Sequence, residues 1–283
     1  MGAELSYAYA VVRPPLTLPR DLLGVAGGLV RLVEAERVAA AVGSVPESEF
    51  SEAALTARLE DLDWLEAVAR AHHGVVEALA AHTTVLPLRL ATVYLDDDRV
   101  RDALRRDEAS FTDLLDRLAG SVEWGVKVYA EQPAPGGSAG AEAGGGAGPE
   151  GGPPDPGRAY LRRRRQQHVA REASWASAAD AVRRIEAEAR AVALRHARHR
   201  PQQQGLAGAR PEEGAPEARA PGENVANDAY LVPRERSAEF RERVLRSVEG
   251  APGVRVEITG PWAPYSFAAA PERTDAPEGG PAR

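Results

Sequence analysis

The apolar positions change period along the chain, and those changes predict the elements. Leu5, Tyr7, Tyr9 and Val11 alternate with small or polar neighbours, the period of a half-buried strand, and Pro14-Pro15 stops it. Leu29 to Val33 and Arg37 to Val42 are apolar runs on either side of Glu34-Ala35-Glu36, which reads as a hairpin. The spacing then becomes helical. A helix is expected from Ser51, with Ser51 as its cap and Phe50 and Leu55 as a hydrophobic staple. Leu62, Leu65, Ala69, His72, Val76 and Leu79 form the stripe of a second helix, widened by Trp64, Val68 and Val75. Val85-Leu86-Pro87-Leu88-Arg89-Leu90 is a short strand whose proline assigns it to an edge. Val100, Leu104, Phe111, Leu115 and Leu118 mark one or two further helices.

The pattern restarts with Val122, Trp124, Val126 and Val128 on one face of a strand and Glu123 and Lys127 on the other. A long helix is expected from Gly157 to His199, with Trp175, Ala178, Val182, Ile185, Ala189 and Val192 as its seam. Ala229 to Val232 is a strand, Phe240, Val244 and Val248 a helix, and Val254, Val256 and Ile258 a last strand. With one more edge strand near 224–228 this order becomes a ferredoxin-like split βαβ. The expected fold class is α+β in two domains. Residues 1–120 form an N-terminal α+β domain, and 121–269 a ferredoxin-like domain with a long helix.

Composition places the interruptions. Residues 132–157 hold ten Gly and six Pro with little apolar bulk, and 201–223 repeat the theme around Gln202-Gln203-Gln204. Such segments bury too little apolar area to offset about 1–2 kcal/mol of backbone entropy per residue, so both are expected to be flexible loops, and 270–283 a disordered tail. Gly144-Gly145-Gly146 has no strand before it and no helix start after it, as a phosphate cradle requires.

The chain of 283 residues has no cysteine, which removes disulfides, thiolate metal sites and cysteine nucleophiles. Lys127 is its one lysine and follows Val126, so no Walker-type Gly-Lys loop exists. No Gly-x-Ser-x-Gly elbow is present, and no apolar run approaches the roughly 18 residues of a membrane span. Met1-Gly2-Ala3-Glu4 lacks the basic and apolar regions of a signal peptide, so the expectation is a cytoplasmic protein.

Candidate chemistry is sparse. His72, His73, His82 and Glu77 lie on one expected helix, but His72 falls in the apolar stripe and no third ligand is fixed by the spacing, so no metal is assigned. His196 and His199 are expected at a helix C-terminus, where cations meet the dipole. Of Asp96-Asp97-Asp98, Asp97 or Asp98 is expected to cap the following helix rather than to hold magnesium. No catalytic residue and no cofactor is assigned.

Charge gives a different signal. Residues 158–200 carry twelve arginines against four acids, a net of +8 in a chain of −7. Arg162, Arg163, Arg164 and Arg165 are the most basic run, fit for an acidic partner or, as an alternative function, for nucleic acid. The acidic remainder and the absence of a stacking platform argue against nucleic acid. Gly260 to Phe267 sets Trp262, Tyr265 and Phe267 within six residues stiffened by Pro261 and Pro264. Such a segment either folds back over its own core or offers an aromatic anchor to a partner.

The ordered segments together resemble the gas-vesicle protein F/L family, nearly end to end. The resemblance is carried by Tyr7-Ala8-Tyr9-Ala10-Val11-Val12, by Ala71-His72 leading into Val75-Val76-Glu77-Ala78-Leu79, and by Thr84-Val85-Leu86-Pro87-Leu88-Arg89. It continues through Glu123-Trp124-Gly125-Val126-Lys127-Val128, Gly157 to Arg163, Asn227-Asp228-Ala229-Tyr230-Leu231-Val232 and Gly260-Pro261-Trp262 to Phe267. Leu90-Ala91-Thr92 stands where the family usually has Phe-Gly-Thr, and His72-His73 where it has His-Glu. The resemblance implies a non-enzymatic accessory protein of gas vesicle assembly. Its implied partners are the hydrophobic major shell protein and other accessory proteins, and its implied place is the gas vesicle in the cytoplasm. Candidate contacts are Trp262, Tyr265, Phe267, Leu86, Leu88, Arg89 and Arg162 to Arg165.

Overall fold

A computed structural model describes residues 3–58, 60–131, 156–201 and 222–268. The expected loops at 132–157 and 201–223 and the tail from 270 lie almost wholly outside the described residues. The chain divides into two units, Met1–Glu123 with Pro261–Arg283, and Trp124–Gly260. The Trp262 segment is thus assigned to the first unit, where the sequence pattern expected one domain to run from 121 to 269.

The first unit is built on β1 (Glu4–Val12), which pairs antiparallel with β3 (Ala39–Pro46). β2 (Val30–Glu34) extends that edge, closing the expected hairpin, and β4 (Leu86–Pro87) and β5 (Val93–Tyr94) pair along the other side of β1. β4 ends the strand order β2-β3-β1-β4, the edge position its proline requires. β1 is buried on both faces, not half-buried as its alternation suggests. Its register with β3 shifts between Ala8 and Ala10. Leu5, Tyr7 and Tyr9 join the main core, and after the shift Ala10 and Val12 join it instead of Val11. An irregularity that inserts one residue flips every later side chain to the other face.

Near Ser51 the expected single helix is two, α1 (Glu47–Phe50) and α2 (Glu52–Arg58), because Ser51 adopts an extended ψ of 157° between them. α3 (Leu62–Ala80) is capped by Asp61, whose side chain accepts from Trp64 N, and buries Val68, His72, Val75, Val76 and Leu79. Fully burying each such aliphatic is worth about 1.5–3 kcal/mol, so this face rather than helix propensity holds α3 in place. α4 (Asp97–Arg106) and α5 (Glu108–Leu118) complete the unit. Asp96 caps α4 through Arg99 N at 2.8 Å, correcting the expectation of Asp97 or Asp98. Asp98 pairs with Arg101 at 2.5 Å. Asp97 instead takes Arg31 in a bidentate grip at 2.6 and 2.9 Å and the Ser6 hydroxyl at 2.6 Å, which lowers its pKa.

The second unit follows in the order β6 (Ser121–Ala130), α6 (Pro156–Arg190), β7 (Arg195–His199), β8 (Glu223–Pro233), α7 (Ser237–Ser247) and β9 (Val254–Trp262). The strand order β7-β8-β6-β9 makes this the ferredoxin-like arrangement. Two expectations are corrected. α6 ends at Arg190, not His199, because Val192 and Ala193 N close on the Ala189 carbonyl, and Leu194 N donates to Leu231 O at 2.8 Å to begin the β7–β8 ladder. His196 therefore stacks on Tyr230, with centroids 4.7 Å apart and planes at 11°, and does not cap a helix. Residues 224–228 are not a separate strand but the first half of β8. Ala178, Ala181, Ile185 and Ala189 of α6 are buried, as are Phe240 and Val244 of α7, and the two helices pack together. Trp124 and Tyr230 meet Phe240 at ring distances of 6.2 and 5.4 Å.

Candidate functional site

In the first unit the aromatic side chains form one connected group. Tyr7 lies 4.9 Å from Tyr9 and 5.9 Å from Phe50, and Phe50 5.5 Å from Trp64. His72 meets Tyr7, Tyr9 and Tyr265 at 5.7, 5.6 and 6.3 Å. The Tyr7 hydroxyl accepts from Ala91 N at 3.0 Å and lies 3.1 Å from His72 Nδ1. Burial pushes the Tyr7 phenol up to about 12 and the His72 ring down to about 4, with the neighbouring His73 ring adding to the latter. Tyr7 is then a protonated donor, Nδ1 its acceptor, and the histidine proton is assigned to Nε2. Nε2 and the Tyr265 hydroxyl are both buried without a hydrogen bond; the Leu88 carbonyl, which favours the charged ring, lies outside good geometry. His72 is thus a packed, neutral core residue. His73 pairs with Glu77 at 3.1 Å, and His82 is exposed. Among the described residues no group of three His, Cys, Asp or Glu is placed to hold a metal.

The segment after β9 is tied into this group. Tyr265 to Phe267 form a single 3-10 turn, and the Glu123 carboxylate accepts from Ser266 N at 2.8 Å and from its hydroxyl at 2.7 Å. Phe267 and Ala263 are buried, and the Tyr265 ring lies 6.0 Å from His73. Trp262 packs edge-on against His73 at 5.4 Å and stays 38% exposed. Of the three aromatics proposed as anchors, Trp262 is the one with a face open to a neighbour. Phe267 fills core and offers a partner no surface.

The strand residues divide in the same way. Leu86 is buried, correcting its place among the candidate contacts, because its position in β4 turns it into the core. Leu88 is half-buried, its N donating to Tyr9 O at 2.9 Å, and Arg89 is exposed. Arg162, Arg164 and Arg165 are exposed on α6 in the second unit, and the Arg163 side chain lies outside the described residues. Sequence reasoning did not single out Leu161 and Val169, which are exposed beside those arginines. The signal available was two branched aliphatics inside a basic run, N-terminal to the expected seam residues. It also missed the packing of His196 and Asp228, 3.1 Å apart, with Arg198 bonded to Glu186 beside them.

Two sheets with helices, the second in a split βαβ order, define an α+β class of protein that solved gas vesicle proteins share. The gas vesicle protein GvpF of Anabaena sp. PCC7120 matches with a TM-score of 0.59 at 17% identity, over 95% of this chain and 97% of its own. That of Microcystis aeruginosa matches with 0.60 at 15% identity, over 94% and 99%. At such identities the likeness speaks for the fold alone. The sequence speaks for the family. Residues 5–269 match the model of the gas vesicle synthesis protein GvpL/GvpF family, and the chain belongs to that family. It is 46% identical over 266 residues to gas vesicle protein L of Streptomyces sp. (strain CB03234), covering 94% of this chain and 93% of that protein.

Proposed function

We propose that this protein is an accessory factor of gas vesicle assembly that works by contact, binding the major shell protein and other accessory proteins in the cytoplasm. The observation that carries the reading is the match to a gas vesicle synthesis family over residues 5–269. Trp262 supports it. This residue is a large aromatic held open by a clamped segment, the type of side chain enriched at the centre of protein interfaces. Shell subunits rich in apolar surface aggregate unless that surface is covered before assembly, and covering it is the task assigned here. Leu88 and Arg89, next to the short edge strand β4, extend the same unit's accessible face. No helix of the described residues is long and apolar enough to cross a membrane.

Deleting the gene in a vesicle-producing host and imaging the cells tests the role. Gas-filled bodies should be lost or malformed, and restored by the gene in trans. Tagged protein purified from producing cells should carry the shell protein with it, and Trp262→Ala should reduce that capture. Normal vesicles after deletion, with no shell or accessory protein captured, refute the reading.

A further inference from the structure

We propose that the first turns of α6 are a docking face for an acidic, amphipathic helix of a partner protein. The inference rests on the reading of this chain as a binding component of vesicle assembly and names the partner chemistry of one surface. From Tyr160 to Val169 every side chain described is exposed. Leu161, Arg164, Arg165, His168 and Val169 recur at three/four spacing and line one shallow depression along the helix. Leu161 and Val169 are 64% and 58% exposed. They sit eight residues apart, about 12 Å of rise, the separation of matching positions on a second helix laid alongside.

Charge selects the occupant. Residues 158–171 contain six arginines and no carboxylate. Several helical arginines elsewhere do find acids: Arg171 meets Glu223, Arg183 meets Asp180, Arg190 meets Glu186 and Arg246 meets Glu242. Arg162, Arg164 and Arg165 have no such partner among the described residues. Cations at three/four spacing repel one another, and the first turn of α6 supplies no acid to offset cations near the positive end of the helix. The run is therefore arranged against its own helical stability, and a row of carboxylates supplied from outside removes the penalty. A second copy of α6 would bring arginine against arginine. Phosphates of a nucleic acid would leave the two aliphatics uncovered. An anionic lipid surface needs a wider apolar face than two residues set among cations.

The test uses the full chain and fluorescence anisotropy. The probe is a labelled helical peptide of about 20 residues with leucines at i, i+3 and i+7 flanked by glutamates, long enough to hold a helix. Polyglutamate of equal charge, a short DNA duplex and phosphatidylglycerol vesicles are the competitors. The expected result is saturable binding of the peptide, at least about tenfold tighter than polyglutamate. The double variants Leu161→Asp with Val169→Asp and Arg162→Glu with Arg165→Glu should each weaken it by about tenfold or more, while hydrogen exchange in β6 and β8 stays native. No binding, equal binding of polyglutamate, preference for DNA or vesicles, or wild-type affinity in either variant overturns the proposal. Vesicles lost on gene deletion with no peptide binding overturn the docking face and leave the assembly role standing. Peptide binding with vesicles unaffected by deletion does the converse.

Discussion

In the first unit a strand glycine sits against a buried phenol, and their contact makes a coupling measurable. Tyr9 is fully buried, and its hydroxyl accepts from Val25 N at 2.8 Å. A Cβ on Gly43 would lie 2.8 Å from that oxygen but 3.3 and 3.5 Å from the ring carbons Cε2 and Cζ. Tyr9→Phe leaves the Val25 amide unpaired, a cost of about 1–3 kcal/mol. Gly43→Ala overpacks the site against the oxygen and costs about 1–3 kcal/mol. With the oxygen gone, the methyl group added by Gly43→Ala still meets Cε2 at a tight 3.3 Å, which a small ring shift relieves, and Cζ at an ordinary 3.5 Å, and the strand regains about 0.5–1 kcal/mol of backbone entropy. The double variant should therefore be more stable than the sum of the singles by about 1–2 kcal/mol, a factor of roughly 5–30 in local opening. Gly24 is the control. Its Cβ would lie 2.1 Å from the oxygen and 2.7 Å from Cζ, so removing the oxygen leaves a ring clash and Gly24→Ala stays severe in both backgrounds. Hydrogen exchange of peptides from β1 and β3 reads the opening free energy of this unit separately from the other. Additivity of Gly43→Ala and Tyr9→Phe within about 0.5 kcal/mol refutes the reasoning.

Ala91 has φ +59°, a left-handed conformation that favours glycine. Ala91→Gly should stabilise the unit by about 1 kcal/mol, read as slower exchange at β1, and a loss of stability contradicts the strain. Gly74 lies mid-helix in α3 with nothing within 4 Å of an added Cβ, so Gly74→Ala should add about 1 kcal/mol in the same assay. The His72 ring has a folded pKa of about 4 against an ordinary 6.5, so the unfolded chain binds the extra proton between those values. Stability from this group is whole above pH 6.5 and falls as pH drops toward 4. His72→Gln should flatten that limb by up to about 1.4 kcal/mol per pH unit in pH-dependent exchange or denaturation. Glu123→Ala removes both bonds to Ser266 and Ser266→Ala only one, so exchange at 263–268 should rise more in the first than in the second.

The parts legible in the sequence are those where one periodicity acts alone. Val122, Trp124, Val126 and Val128 alternate without interruption and form β6 as read. The α3 stripe is equally direct, and its buried face contains His72 because a histidine kept neutral and bonded to Tyr7 counts as core. β7 is hidden because Arg195-His196-Ala197-Arg198-His199 carries no apolar alternation. Its strand character comes from pairing with β8, a long-range contact that no local pattern encodes. The register shift in β1 is hidden for the same reason, since Val11 and Val12 are equally apolar and only the β3 partner decides which faces the core. Among Asp96, Asp97 and Asp98, composition identifies a helix start. The choice of cap depends on Arg31, which lies on a distant strand and claims Asp97. The aromatic segment at 262–267 reads as either core or anchor, and its geometry divides it between the two.

That division has an energetic logic. A side chain that binds a partner loses least on binding when it is already fixed, and Trp262 is held by a chain of partly and fully buried neighbours. Phe267 is buried one turn away, Ser266 is held twice by Glu123, and the ring edge of Trp262 rests on His73, which Glu77 holds in turn. The arginine run of α6 is the opposite case. Its side chains have no partners among the described residues, its charges oppose the helix they sit on, and a partner that completes it must also bear the ordering of long, flexible side chains. Capture of a partner through Trp262 should then depend on shape and resist salt, whereas capture through Arg162, Arg164 and Arg165 should weaken as ions screen it over about a Debye length. On the two proposals made above, surfaces governed by different forces would let one protein hold an apolar subunit and an acidic helper independently, because weakening one contact would leave the other intact.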